Sequence, residues 1–449
     1  MRLSESLALT ISGGGPESFE TFRKHINPQW VEEALTATES QSARERRLPA
    51  SQVVWLVIGM GLFRDLPVDE LVDRLGLAKP VPNGKPMARS AIADARGALG
   101  DNAMEWLYRR CSGRWGHASA DRQRWRELAL YGVDGTTERV PDSDDNRDHF
   151  GSPTAGAVRG AGGYPQVRIV GLMALRSHLM VDVQFGPYTK SELAYAKELW
   201  SSVPDHSLTI LDRAFLSAGV LIPLASKGMN RHWLTRAKSN TQYRVVRKLG
   251  RKDDLVEIRV TPEARKKDPT LPEVWYVRAI RYTRKGFREQ VLLTSLLDPD
   301  AYPREEVIEL YHERWELELG FDEIKTEMLD REEAIRSQTP LRIYQEVWGI
   351  LLAYNLVRLE MERIADQAGV SPLRISFVAA LREIRLEWLL FSTTRPGTIP
   401  ERLRQLAARI GRFILPERRS ERAYPRAVKI KMSKWPRKRR PQSPTVGVP

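Results

Sequence analysis

Leu128-Ala-Leu-Tyr-Gly-Val133-Asp134-Gly135-Thr136-Thr137 reads as a short buried strand running into a turn. Six largely apolar residues suit a strand interior, and the acid, glycine and threonines behind them are turn chemistry. The strand is therefore expected to end at Asp134. Further along, 166–175 and 179–185 read as two strands joined through Arg176-Ser177-His178, a hairpin. Residues 191–202 read as a helix with Ser191 as its N-cap. Ser207-Leu-Thr-Ile-Leu211 is another strand and delivers Asp212-Arg213; a helix over 215–226 and a short strand at 233–237 follow. This order describes an α/β core with a mixed sheet and flanking helices. Acids stand at the ends of its first and fourth strands.

The chain on either side is organised differently. Residues 1–125 read as a helical N-terminal domain, with apolar periodicity over 51–63, 69–75 and 91–110. The core occupies 126–240 and is interrupted at 241–298, where 243–249, 255–260, 274–282 and 290–296 alternate or run apolar between turn signals. Helical patterns over 303–330 and 341–367 bring the core back across 299–398. The segment 399–449 begins with helical spacing (Leu403, Leu406, Ala407, Ile410) and then becomes Pro-rich and basic, with too few apolar residues to fold alone.

Charge suggests the partner. The 449 residues carry 71 Lys and Arg against 57 Asp and Glu, with an isoelectric point near 9.8. Residues 401–449 hold fifteen cations and three acids, which leaves only +2 on the first 400. A near-neutral body with a basic end is expected of a protein that meets a polyanion; a solubilising tail is the plainer alternative. The apolar run 53–63 is eleven residues, short of the ~20 that cross a bilayer. The N-terminal Met-Arg-Leu-Ser-Glu-Ser lacks a secretory apolar region. A single cysteine, Cys111, excludes disulfide frameworks and cysteine-based zinc sites. A cytoplasmic protein with no membrane partner is expected. The seven histidines show no metal-ligand spacing, and the Gly-rich stretch 151–163 lacks a phosphate-binding signature.

The chemistry concentrates in Tyr311-His-Glu-Arg-Trp-Glu-Leu-Glu-Leu-Gly-Phe-Asp-Glu-Ile-Lys325. On a regular helix, Tyr311, Arg314, Glu318 and Lys325 fall within an arc of roughly 60°, while Glu313, Glu316 and Glu323 point elsewhere. A carboxylate flanked by two cations suits a metal ligand beside a phosphate backbone; an ordinary salt-bridged helix face is the alternative. Asp134, Asp212 and Glu318 together supply three hard oxygen donors, a set suited to one or two Mg²⁺ ions, with Mn²⁺ as substitute. Such ions serve phosphodiester chemistry.

Asp134-Gly-Thr, Asp212-Arg213-Ala-Phe215 and Tyr311-x2-Arg314-x3-Glu318-x6-Lys325 resemble the three motifs of bacterial DDE transposases. The last resembles the Y-R-E-K signature of the insertion sequence 4 family, with every spacing met. Arg46-Arg-Leu-Pro49 with its following helix, and Tyr164-Pro-Gln-Val-Arg-Ile-Val170, resemble further family segments. The resemblance implies a ribonuclease-H-like catalytic core interrupted by a β-rich insertion between the second Asp and the Glu. It implies Asp134, Asp212 and Glu318 as catalytic metal ligands. It also implies Tyr311, Arg314, Lys325 and, more weakly, Arg213 as DNA contacts. Relatives that form a DNA hairpin use a tryptophan of the insertion; Trp233 and Trp275 are candidates, and a core role serves either equally well. Double-stranded DNA (element ends and target), a homodimer in the DNA complex, and a nucleoid-associated location in the bacterial cytoplasm follow from the same resemblance. A catalytically silent DNA-binding relative and a ribonuclease-H-like nuclease without strand transfer are the rival readings.

Overall fold

The computed structural model describes residues 22, 25–41, 46–79, 85–153, 163–284, 287–329, 335–391 and 398–417. The middle of the Gly-rich stretch (154–162) and the Pro-rich basic tail from 418 lie outside the described residues.

Nine strands are described: β1 (Ala129–Arg139), β2 (Gln166–Ala174), β3 (Met180–Pro187), β4 (Ser207–Leu211), β5 (Arg231–Arg236), β6 (Arg244–Gly250), β7 (Asp253–Arg259), β8 (Val274–Tyr282) and β9 (Gln290–Thr294). They form one sheet in the order β3-β2-β1-β4-β5-β9-β8-β7-β6. β1, β2 and β3 pair antiparallel, while β4 runs parallel to β1 and β5 parallel to β4. This is the ribonuclease-H-like core. All five residues of β4 are buried, as a central parallel strand covered on both faces requires. The insertion extends the same sheet: β9 returns to pair antiparallel with β5, and β8, β7 and β6 continue outward from it.

β1 is longer than its sequence suggests. The expected end at Asp134 is a correction: β1 runs on through Gly135, Thr136 and Thr137 to Arg139, paired throughout with β2, and Asp134 sits opposite Gly171. What does stop is the pairing with β4, whose last register pair is Val133 with Leu211. A waiting partner strand and two β-branched threonines outweigh the local turn chemistry.

The helices, in order, are α1 (Pro28–Ala37), α2 (Ala50–Leu62), α3 (Val68–Arg74), α4 (Arg89–Leu99), α5 (Asn102–Arg122), α6 (Asp144–Phe150), α7 (Glu192–Glu198), α8 (Ala218–Ser226), α9 (Pro262–Lys267), α10 (Arg304–His312), α11 (Trp315–Asp322), α12 (Pro340–Ala368), α13 (Phe377–Phe391) and α14 (Ile399–Gly411). α2 is buried from Val53 to Leu62 because it packs backbone to backbone on α12. A Cβ on Gly61 would lie 2.9 Å from the Ile350 Cα, and one on Gly349 would lie 2.5 Å from the Val57 carbonyl. Polar ties seal the contact, including Arg64 with Glu346 (2.6 Å) and Arg96 with Gln345 (2.8 Å). The N-terminal helices thus share a core with the late helix α12. Trp233 and Trp275 pack on one another at the junction of β5 and the insertion, with ring centroids 5.4 Å apart and both rings buried. Both are core residues in this arrangement. Among the described residues no helix is long and apolar enough to cross a membrane.

Candidate active site

The site is built on β1 and β4. Val133 and Leu211 are register partners, so Asp134 and Asp212 follow them on adjacent parallel strands, which lie about 4.8 Å apart. Each aspartate accepts a hydrogen bond from the next backbone N–H: Gly135 donates to Asp134 Oδ1 at 2.8 Å, and Arg213 to Asp212 Oδ1. Asp212 thereby caps the 3-10 turn Arg213–Phe215, and Arg213 is exposed.

Glu318 arrives from above β1. Residues two apart on a strand share a face, so Gly132 and Asp134 look the same way, toward α11. Leu317 of α11 fills the space over Gly132 so closely that a Cβ there would lie 2.7 Å from both Leu317 Cδ atoms. Glycine at 132 lets the helix rest on the strand, and the next residue of that helix is Glu318. The helix is not regular. A turn at 313–314 separates α10 from α11, and a π-helical segment, Glu323–Met328, continues from α11. The three acids expected on other faces anchor it. Glu313 pairs with Arg176 (2.7 Å) and Glu316 with His178 (2.9 Å), both from the β2–β3 turn. Glu323 meets Arg358 and the Tyr354 hydroxyl of α12, the latter at 2.8 Å.

The remaining predicted residues occupy distinct environments. Arg314 donates to Glu318 Oε1 at 2.7 Å, and Tyr311 is buried. Lys325 is tethered to β1. Its ammonium donates to Thr136 Oγ1 (2.9 Å) and the Thr137 carbonyl (3.2 Å), and lies 3.3 Å from Glu138 Oε1, all on the far half of β1.

One acid absent from the sequence reading joins this cleft. Glu192, in the first turn of α7, reaches back across Gly135. In sequence it is the acid that opens a capped helix, where the helix dipole alone accounts for it. Burial pushes the Asp134 carboxyl up to about 6; the Gly135 N–H opposes the rise, Glu192 adds to it, and Arg314 and Asp212 contribute in opposite senses. Glu192 is raised too, by burial, against the pull of Arg168 and with the push of Asp212.

Among the described residues no group of three His, Cys, Asp or Glu side chains is drawn tightly enough to close on a metal ion. The donor chemistry nevertheless fits Mg²⁺. The acids are hard oxygen donors, and they concentrate negative charge in a half-buried cleft that a divalent cation relieves.

A ribonuclease-H-like sheet with acids following its two central parallel strands, and a third acid on a helix laid over the first, defines the DDE class of protein. Residues 16–109 match the family model described as insertion element 4 transposase N-terminal, and residues 129–356 match the transposase DDE domain. The transposase InsG for insertion sequence element IS4, from Escherichia coli K12, is 35% identical over 420 residues, covering 92% of each chain. The chain belongs to the insertion sequence 4 family of DDE transposases. A looser likeness, with 12% identity and a TM-score of 0.45 over 90% of this chain and 86% of the other, links it to the piggyBac transposase in a synaptic complex with hairpin DNA.

Proposed function

We propose that this chain cuts the ends of its own insertion sequence and joins their 3′-hydroxyls to target DNA, with Asp134, Asp212 and Glu318 as the carboxylates that hold Mg²⁺. The observation that carries the reading is the convergence of β1, β4 and α11: two aspartates at equivalent positions on neighbouring strands, and a glutamate helix seated on the glycine two residues earlier. When bound, Mg²⁺ supplies charge stabilisation at the phosphate and a more acidic water or hydroxyl.

The chemistry is two displacements at phosphorus. In the first, the oxygen of water bonds to the scissile phosphorus and the P–O3′ bond breaks, freeing a 3′-hydroxyl. In the second, that hydroxyl attacks a target phosphate and a target P–O3′ bond breaks in turn. Asp134 and Asp212 would hold Mg²⁺ at the mouth of the sheet, where it would offset the charge of the scissile phosphate. Arg314, beside Glu318, the exposed Arg213 and the largely buried Tyr311 contact the flanking DNA. Lys325 holds the far half of β1, and DNA running along that strand would meet its ammonium. Residues 1–125 are assigned to recognition of the element ends, 126–240 with 299–398 to the core, 241–298 to the insertion and 399–449 to general DNA attraction. Double-stranded DNA is the substrate, a homodimer is the form that pairs two ends, and the nucleoid is the place of work.

The test uses the full chain and duplexes carrying the ends of its own element. Asp134→Asn, Asp212→Asn and Glu318→Gln should each abolish cleavage while leaving end binding largely intact, and chelation should stop the wild type. Near-normal cutting by any one folded variant removes that residue from the site. Cutting without joining supports a nuclease instead.

A further inference from the structure

Glu192 has the geometry of a working residue. It opens α7 behind the Ser191 cap, yet its side chain does not run out into solvent. It lies across the backbone of Gly135, where an added Cβ would stand 2.1 Å from Oε1 and 2.9 Å from Cδ. Gly135 does not adopt the left-handed backbone that favours glycine. A Cβ at 135 would displace the Glu192 carboxylate from its place beside Asp134.

Arg168 acts on that carboxylate without pairing with it. Among the described residues no hydrogen bond or ion pair engages it. Arg168, on β2, stacks on the Tyr188 ring at 4.6 Å and donates to the Tyr188 carbonyl at 3.3 Å. A half-buried acid pressed against two others costs free energy unless a positive charge arrives to share them. Hard carboxylate oxygens from three separate elements are the donors a divalent cation takes.

We infer that Glu192 is a fourth carboxylate of the metal site, giving an oxygen to a divalent cation shared with Asp134. The inference rests on the metal reading above. It assigns Gly135 a purpose as well: the residue after the first aspartate is kept bare so that Glu192 can reach the ion.

Binding of Mn²⁺ alone to the full-length protein, followed by electron paramagnetic resonance of the free ion, tests this without DNA or turnover. Glu192→Gln should weaken Mn²⁺ binding by about tenfold or more, with a melting temperature in EDTA no lower than wild type. Glu192→Asp should do the same, since it keeps the charge and loses the reach. Gly135→Ala should also weaken binding by displacing Glu192, and should add little in the Glu192→Gln background. If Asp134→Asn loses Mn²⁺ while Glu192→Gln binds as wild type, Glu192 is no ligand. Wild-type binding by Glu192→Asp would mean that only its charge matters, which equally overturns the assignment. If Asp134→Asn also binds as wild type, or the wild type binds no Mn²⁺ at millimolar concentration, the carboxylate reading of the site itself falls.

Discussion

Arg314 and Lys325 carry like charges at two positions of one motif, and they are held differently. Arg314 is tied to Glu318 by one ion pair, an i, i+4 contact that a phosphate can outbid. Lys325 is held by three oxygens of β1. Arg314→Gln should therefore lower the salt slope of end-DNA binding by about one and leave thermal stability near wild type. Lys325→Gln should lower the melting temperature as well, because it frees the π-segment from β1. Equal melting temperatures for the two variants would remove the tether. A helical wheel sets both cations on the face of Glu318 by assuming uniform winding, and the π-helical segment at 323–328 is invisible to that arithmetic. The anchoring acids were legible as a group, though their partners were not. Burial pushes the Glu323 carboxyl up, but Arg358 and then His178 pull it further down, to about 2. Because the folded-state value lies below the unfolded one, this pairing stabilises the protein above about pH 4.5. That stabilisation is lost as pH falls toward 2. Arg358→Met, which strands a buried charge, should cost about 3–5 kcal/mol at pH 7 and flatten the acid limb in urea titrations. Adding Glu323→Gln should recover part of the loss.

At the level of elements, the site depends on how closely α11 sits on β1. Gly132→Ala puts a methyl 2.7 Å from the Leu317 side chain, an overpacking expected to cost about 1–3 kcal/mol and to lift Glu318 from the aspartates. Cleavage should fall far more than stability, and Leu317→Ala in the same chain should restore part of the activity. A Gly132→Ala protein that cuts at the wild-type rate would show that the spacing is not critical. Four of the five core strands, β2 to β5, are legible in sequence to within two residues, because their apolar runs are bounded by turn residues. Not legible are the second half of β1, where hydrogen bonding to β2 decides, and Glu192, whose role is set by a glycine 57 positions away. The small helix α9 was missed for want of any buried residue.

Across the whole molecule, charge is more finely divided than a basic tail on a neutral body. Residues 241–298 hold fourteen cations and eight acids, so the rest of the first 400 residues is net acidic. The C-terminal segment also splits in two. α14 is integral to the fold: Leu406 and Ile410 are buried, Arg402 pairs with Glu387, and Arg409 pairs with Glu383 (2.8 Å) and Glu387 (2.9 Å). Deletion from 399 should therefore expose core and lower stability, in addition to any effect on pairing of ends. Deletion of 425–449 removes eight cations and should lower the salt slope for random duplex by up to about 7 without changing the melting temperature. An unchanged slope in gel-shift titrations would leave the tail a solubilising appendage and move the DNA-binding charge to the insertion.

The order in which the insertion joins the sheet has a further cost. The chain leaves β5, travels to the far rim at β6, and returns strand by strand until β9 closes on β5. The outermost strand is therefore made first and waits for the others, and long-range closure of this kind is slow. β6 remains a rim in the finished protein, with Val245 and Val246 exposed to 47% and 46%. An open apolar rim invites a second chain to add to it, and flanking positive charge keeps copies apart. Arg244, Arg247 and Lys248 lie along that rim. Neutralising them should turn a monodisperse preparation into one that clumps during refolding, so DNA affinities of such variants need to be read beside light scattering.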